Sequence, residues 1–328
     1  MDIAVIGSNM VDLITYINQM PKEGETLEAP AFKIGCGGKG ANQAVAAAKL
    51  NSKVMMLTKV GDDIFADNTI RNLESWGINT TYVEKVPCTS SGVAPIFVNA
   101  NSSNSILIVK GANKFLSPED IDRAADDLKK CQLIVLQLEV QLETVYHAIE
   151  FGKKHGIQVL LNPAPALREL DMSYACKCDF FVPNETELEI LTGMPVNTYE
   201  NICLAARSLV EKGLNNIIVT MGEKGALWMT RDREVKVPAC KVNAVDTSGA
   251  GDAFIGCFAH YYVQSGDVEA AMKKASLFAA FSVTGKGTQS SYPSIEQFNE
   301  YLGNDSNLLI VFYVQIMPDD FVMQLHRF

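Results

Sequence analysis

Asp252 closes the segment Asp246-Thr247-Ser248-Gly249-Ala250-Gly251-Asp252, where an apolar helix through Ile255, Phe258 and Tyr262 is expected to begin. The first turn of a helix leaves backbone N–H groups unpaired, and the aligned peptide dipoles make that end positive. Glycines in the turn let the end close on an anion such as a phosphoryl group. A carboxylate in the same turn has an ordinary role as a helix cap. Beside an anion hole it has a second one. It can take the proton of a hydroxyl while Gly249, Ala250 and Gly251 steady the phosphoryl group moving onto that hydroxyl.

Three more segments place polar side chains beside glycines or strand ends. Gly35-Cys36-Gly37-Gly38-Lys39-Gly40-Ala41-Asn42 formally matches the dinucleotide-binding fingerprint, but the context is wrong. Gly7 already ends the first strand without it, and no acidic residue closes a second strand about 20 positions on. No G-x-x-x-x-G-K-[ST] phosphate loop occurs in the chain. What these glycines permit is close backbone approach to a hydroxyl-rich ligand, with Lys39 and Asn42 as its polar contacts. Pro183-Asn184-Glu185-Thr186-Glu187 can orient the waters of a Mg²⁺ ion, or simply cap a helix through Asn184 or Thr186. Thr220-Met221-Gly222-Glu223-Lys224-Gly225 offers glycines against which a nucleotide can lie.

These segments need a scaffold with several strand ends in one place. Ile3 to Gly7 is a continuous apolar run suited to a parallel strand buried on both faces. Helical character over Gly40–Leu50 follows, then a strand over Lys53–Val60 and a helix over Asn68–Trp76, closed by Gly77. From Ser117 the alternation resumes: a helix start at 117–120, a strand over Leu133–Leu138, a helix over Leu142–His155 stopped by Gly156, and strands at Gln158–Leu161, Phe180–Val182 and Asn216–Thr220. This rhythm predicts an α/β fold, a doubly wound and mostly parallel sheet with helices on both faces. Two stretches break it. Asp12 to Phe32 and a hairpin of Gly92–Asn99 with Ser105–Lys110 read as a small antiparallel sheet projecting from the main domain, either a lid or an insertion.

Composition narrows the class. The 328 residues are 48% hydrophobic and 20% charged, with a formal net charge of −10, which disfavours a nucleic-acid partner. The sequence carries no run long enough to suggest a membrane partner. Without a secretory pattern ahead of the first strand, the eight cysteines are expected to be reduced thiols in the cytoplasm. Cys176-Lys177-Cys178 has no histidine nearby to complete a zinc site.

Taken in order, the four segments resemble the ribokinase (PfkB) family of carbohydrate kinases over about residues 1–302. Gly37–Gln43 is similar to one family signature and Asp246–Asp252 to the other. Gln137-Leu138-Glu139, Asn162-Pro163-Ala164-Pro165-Ala166 and Gly287-Thr288-Gln289-Ser290-Ser291 resemble ribokinases in particular. The resemblance implies a Rossmann-like, three-layer domain over 1–302, with a β-sheet lid from about 12–36 and 90–112 that commonly forms a homodimer clasp. It implies Asp252 as base on a pentose O5 hydroxyl, and Asp12, Gly38, Lys39, Gly40, Asn42 and Glu139 as sugar contacts. Asn184, Thr220, Gly222, Gly225, Gly251 and Ser276 would line an ATP site, with Glu187 linked to Mg²⁺. Asp246, Ser248, Ser282, Gly285, Gly287 and Ser291 correspond to a monovalent-cation loop, usually for K⁺.

There are two departures. Met10 stands where many bacterial ribokinases place an Asn that contacts the sugar's secondary hydroxyls. A thioether donates no hydrogen bond, so a hydroxyl left against it loses a partner, at a cost of about 1–3 kcal/mol. A sugar without that hydroxyl loses nothing, so the expected substrate is 2-deoxy-D-ribose, with D-ribose as the alternative. A catalytically silent sugar sensor is a third reading, against which stands the retained Asp252. The second departure is Gly303 to Phe328, which resembles nothing in the family; its apolar run Leu308–Val314 is expected to be either an added strand or an artefact.

Overall fold

The computed structural model describes residues 1–99 and 104–303. The chain divides after Tyr292 into two compact units. In the second, residues 295–303 are helical, and the run Leu308–Val314 lies outside the described residues.

The first unit is built on a nine-stranded sheet. Its strands are β1 (Ile3–Ile6), β4 (Val54–Val60), β5 (Asn79–Lys85), β8 (Leu133–Leu136), β9 (Gln158–Leu161), β10 (Phe180–Phe181), β11 (Ile217–Thr220), β12 (Ala226–Met229) and β13 (Glu234–Val237). Their order is β13-β12-β11-β10-β9-β8-β1-β4-β5. Pairing is parallel from β5 through β11, and only β12 and β13 join antiparallel. Every residue of β1, β4 and β8 is buried, so these strands are apolar without alternation except at Thr58 and Lys59 of β4, where the lysine is paired with Glu84 and Asp120. Chain order reverses between β1 and β8. The carboxyl ends of strands at such a point form a natural ligand crevice.

Helices cover the sheet. Those that bear on the site are α1 (Lys39–Lys49), α5 (Leu142–His155), α7 (Glu185–Thr192), α9 (Ala250–Ser265) and α10 (Val268–Ser282). α5 keeps the predicted limits, ending on Gly156 in the left-handed conformation. α2 (Ile64–Ser75) begins earlier than its apolar pattern suggests, because Asp63 caps it by accepting from the N–H groups of Phe65 and Ala66.

The lid is a separate four-stranded sheet of β2 (Met10–Ile17), β3 (Ala31–Gly37), β6 (Val93–Asn99) and β7 (Asn104–Ile106), in the order β3-β2-β6-β7. It corrects one expectation. The sheet is mixed rather than antiparallel, since β2 pairs antiparallel with β3 but parallel with β6. The physical reason is connectivity: β2 and β6 each leave the main domain in the same direction, and only the hairpin partners β3 and β7 return.

Candidate active site

Asp252 lies in the first turn of α9 but does not cap it. The N-cap is Gly249, in the left-handed conformation at φ 73°, and no side chain caps this helix start. The Asp252 carboxylate is buried and turned to α1 instead. Its Oδ2 accepts from Asn42 Nδ2 (3.0 Å) and its Oδ1 from Gln43 Nε2 (2.9 Å). The two helices come close because Gly256 has no side chain: a Cβ there would lie 2.5 Å from Ala46 Cβ. Ala250 N–H makes a long bond to Thr247 O (3.3 Å), and Tyr292 Oη donates to Gly249 O (3.1 Å). The turn is thus tied down on both sides of its glycine.

Lys39, Glu139, Asp12 and Asp252 form one electrostatic cluster. Glu139 follows β8, and its Oε2 accepts from Lys39 N–H (3.0 Å) and from Ser8 Oγ, just beyond β1. Asp12 on β2 faces Gly35 of β3 in register, and a Cβ on Gly37 would lie 2.4 Å from Asp12 Oδ2. The glycines of the 35–40 segment therefore make room for carboxylate and backbone: a Cβ at Gly38 would lie 2.6 Å from Met10 N, and one at Gly40 2.7 Å from Ser8 O. Burial, then Glu139 and Asp252, push the Asp12 carboxyl up to about 7. Burial opposes the Lys39 charge, but Asp252, Glu139 and Glu187 outweigh it and raise this ammonium above its ordinary range.

A cavity of ≈ 1100 Å³ opens beside this cluster. Lys39, Asn184, Glu187, Thr220, Gly222, Gly225, Ser276 and the run Gly249–Asp252 all line it, so it brings together the residues expected at the nucleotide and those expected at the anion hole. Asn184 is the N-cap of α7. Its Oδ1 accepts from Glu187 N–H, and Glu187 Oε2 accepts from Asn184 N–H, both at 2.8 Å. The capping role weighed for Asn184 is therefore present. Burial raises the Glu187 carboxyl above the usual range, with Asp252 adding to it.

Met10, Asp12, Gly38, Gly40, Asn42 and Glu139 lie outside that cavity, on the side toward the lid. Met10 and Asp12 are two residues apart on β2 and so share a face. Met10 is 2% exposed, with Asn113 Nδ2 3.8 Å from its sulfur. Behind α9, Asp246 Oδ1 accepts from Ser248 N–H and Oδ2 from Gly287 N–H, each at 2.9 Å. Burial works against this carboxylate, but the two N–H groups hold it below its ordinary value. Gly285 packs against Ser291, and Gly285 N–H donates to Ser282 O (3.3 Å). Among the described residues, no group of three or more His, Cys, Asp or Glu side chains converges as a metal-binding cluster.

Four buried amides linked to Asp252 directly or through other amides have no role in the sequence analysis: Gln43, Gln137, Asn162 and Gln289. Gln137 and Asn162 each stand directly after a strand end, which is the signal that could have found them. Gln289 Nε2 donates to Asn42 Oδ1 (3.0 Å) and so orients the amide that holds Asp252.

The sequence model described as pfkB family carbohydrate kinase matches residues 1–295. The chain is 95% identical over 302 residues to the deoxyribokinase of Salmonella typhi, covering 92% of this chain and 99% of that protein. It is 39% identical to the ribokinase of Mus musculus, covering 89% and 91%. The structure of Arabidopsis thaliana ribokinase complexed with ribose and ATP superposes with a TM-score of 0.87 at 30% identity, covering 92% and 98%.

Proposed function

Because the chain belongs to the pfkB family of carbohydrate kinases, we propose that it moves the γ-phosphoryl group of ATP onto O5 of 2-deoxy-D-ribose, giving 2-deoxy-D-ribose 5-phosphate. The observation that carries this reading is the Asp252 carboxylate, turned away from capping its own helix and held by Asn42 beside the start of α9. In the proposed reaction the sugar lies against Asp12, Gly38, Lys39, Gly40, Asn42 and Glu139, with O5 toward Asp252. Asp252 takes the O5 proton as the O5–P bond forms and the bond from phosphorus to the β,γ-bridging oxygen breaks, releasing ADP. Gly249, Ala250, Gly251 and the positive end of α9 steady the charge on the phosphoryl oxygens, and Lys39 adds a fixed cation. The nucleotide occupies the 1100 Å³ cavity along Asn184, Thr220, Gly222, Gly225 and Ser276.

The choice of sugar rests on Met10, whose thioether shares a face of β2 with Asp12 and gives no hydrogen bond to a 2-hydroxyl. The 95% identity to a deoxyribokinase supports the same choice.

Residues for both expected cations are present. Glu187 uses Oε2 in the α7 cap, leaving Oε1 for the hydration shell of Mg²⁺. Mg²⁺ bound with ATP supplies charge neutralisation on the β- and γ-phosphates. Asp246, Ser248, Ser282, Gly285, Gly287 and Ser291 offer oxygen donors alone, a set that fits a hard monovalent cation such as K⁺. Asp246 fixes Ser248, the residue before Gly249, so a cation held there acts on the anion hole through the backbone.

A second copy of this chain is the proposed partner of the lid. Register puts Ile34 with Leu13 and Pro95, and Phe32 with Thr15 and Phe97, on one face of the small sheet. Phe32 is 59% and Ile34 49% exposed, an apolar face suited to self-association. A cytoplasmic location suits the eight free thiols. Among the described residues, no helix is long and apolar enough to cross a membrane.

Asp252→Asn tests the mechanism. Turnover is expected to fall by about 10²-fold or more while calorimetry still detects sugar binding. Undiminished turnover would overturn the assignment of the base.

A further inference from the structure

Asp252 has two hydrogen-bonded oxygens, and the reading above gives a role to only one of the donors. Asn42 belongs to the sugar site, but Gln43, its neighbour on α1, points to the far side of the carboxylate. Gln43 is 1% exposed, and its Nε2 donates to Asp252 Oδ1 at 2.9 Å. The same amide is anchored from two strand ends. Its Oε1 accepts from Gln137 Nε2 (2.6 Å), one residue past β8, and its Nε2 also lies 3.2 Å from Asn162 Oδ1, one residue past β9. Asn162 Nδ2 in turn donates to Val182 O (2.8 Å), just beyond β10. A chain of side-chain amides therefore runs across the ends of three adjacent strands and terminates on Asp252. Gly7, at the end of β1, leaves the space for it: a Cβ there would sit 2.0 Å from Gln137 Oε1.

We infer that Gln43 is a positioning residue for Asp252, the last link of a buried amide relay that fixes the carboxylate for the sugar hydroxyl. The inference rests on Asp252 being the base. The chemistry of the relay supports it. Amides do not titrate near neutrality, so this chain holds the carboxylate without drawing its proton away. Because Gln43 is pinned through both its oxygen and its nitrogen, its amide is not free to turn and present oxygen to oxygen. Asn42, by contrast, holds Oδ2, on the side where the sugar is proposed to lie.

The split between kcat and KM is the readout. The titratable and charged groups that act on Asp252 or surround it are Asp12 on β2, Lys39 at the start of α1, Glu139 after β8, Glu187 on α7 and Tyr292. Gln43→Met leaves all of them in place and removes only the amide. The expected result is a kcat lower by about 10- to 100-fold, short of losing the base altogether, with little change in the sugar KM. Gln137→Met, which touches Gln43 but not Asp252, should lower kcat by less, again with little change in KM, and the double variant should be far from additive. If Gln43→Met does not fold, Gln137→Met alone carries the test through its kcat and KM. A variant with unchanged kcat, or with kcat lowered only in step with its folded fraction, overturns the relay. Asp252→Asn separates the two ideas: if it is inactive while Gln43→Met and Gln137→Met behave as wild type, the base stands and the relay fails. If Asp252→Asn keeps turnover, the base assignment fails first.

Discussion

Asp12 is buried close to two other carboxylates, Glu139 and Asp252, and its carboxyl sits at about 7 for that reason. A folded value above the ordinary 3.8 means that the folded protein binds a proton the unfolded chain has already released. Stability from this group is therefore full below about 4 and is lost as pH rises toward 7. Asp12→Asn removes that loss, so thermal unfolding without ligand should show the variant a few degrees more stable than wild type at pH 8, with the gain absent at pH 4. The same change should cost about 10- to 100-fold in kcat/KM for the sugar, if Asp12 accepts its hydroxyls as a charged group. A gain at pH 4 equal to that at pH 8 would mean the carboxylate is not held in this way. Asp12 is legible in the sequence only through resemblance, because nothing local to a strand residue shows which distant carboxylates will surround it. Asp252 and Lys39 were legible from their own neighbours, glycine turns leading into helices. Gln43 and its amide partners were not, since hydrogen bonds over 94 to 209 residues of separation leave no local pattern.

At the scale of elements, the apolar runs of β1, β4 and β9 and the amphipathic α5 were readable because burial on both faces and helical periodicity write themselves into the sequence. The lid strands were recognised as a break in that rhythm, but the parallel pairing of β2 with β6 was not. It depends on where two segments about 80 residues apart leave the main sheet, and alternation within each says nothing of their mutual direction. The start of α9 shows how one turn divides its glycines between folding and chemistry. Gly249 has φ 73°, and a Cβ would meet Thr288 Cγ2 at 2.2 Å, whereas nothing lies within 4 Å of the position a Gly251 Cβ would take. Gly249→Ala should therefore lower both stability and activity. Gly251→Ala should leave stability unchanged or raise it by up to about 1 kcal/mol, as helix propensity favours Ala, yet lower kcat by about 10-fold or more if a phosphoryl group needs that space. Chemical denaturation beside steady-state rates checks both, and a Gly251→Ala enzyme with full activity would remove this glycine from the anion hole.

The first unit joins a nine-stranded sheet, whose strand ends carry the proposed site, to a small sheet with an apolar face of its own. If that face is covered by a second copy, Phe32→Asp should convert a dimer to a monomer in sedimentation equilibrium; an unchanged mass would place the contact elsewhere. The central claim, a kinase whose pocket prefers a pentose without its 2-hydroxyl, is tested most directly by one comparison. Steady-state kinetics with ATP should be measured on 2-deoxy-D-ribose and D-ribose in parallel, with the phosphorylated position read by NMR. The account predicts 2-deoxy-D-ribose 5-phosphate as product and a kcat/KM for deoxyribose above that for ribose by about 10-fold, the scale of one unpartnered hydroxyl. A higher kcat/KM for ribose, or phosphate on any oxygen but O5, would contradict it.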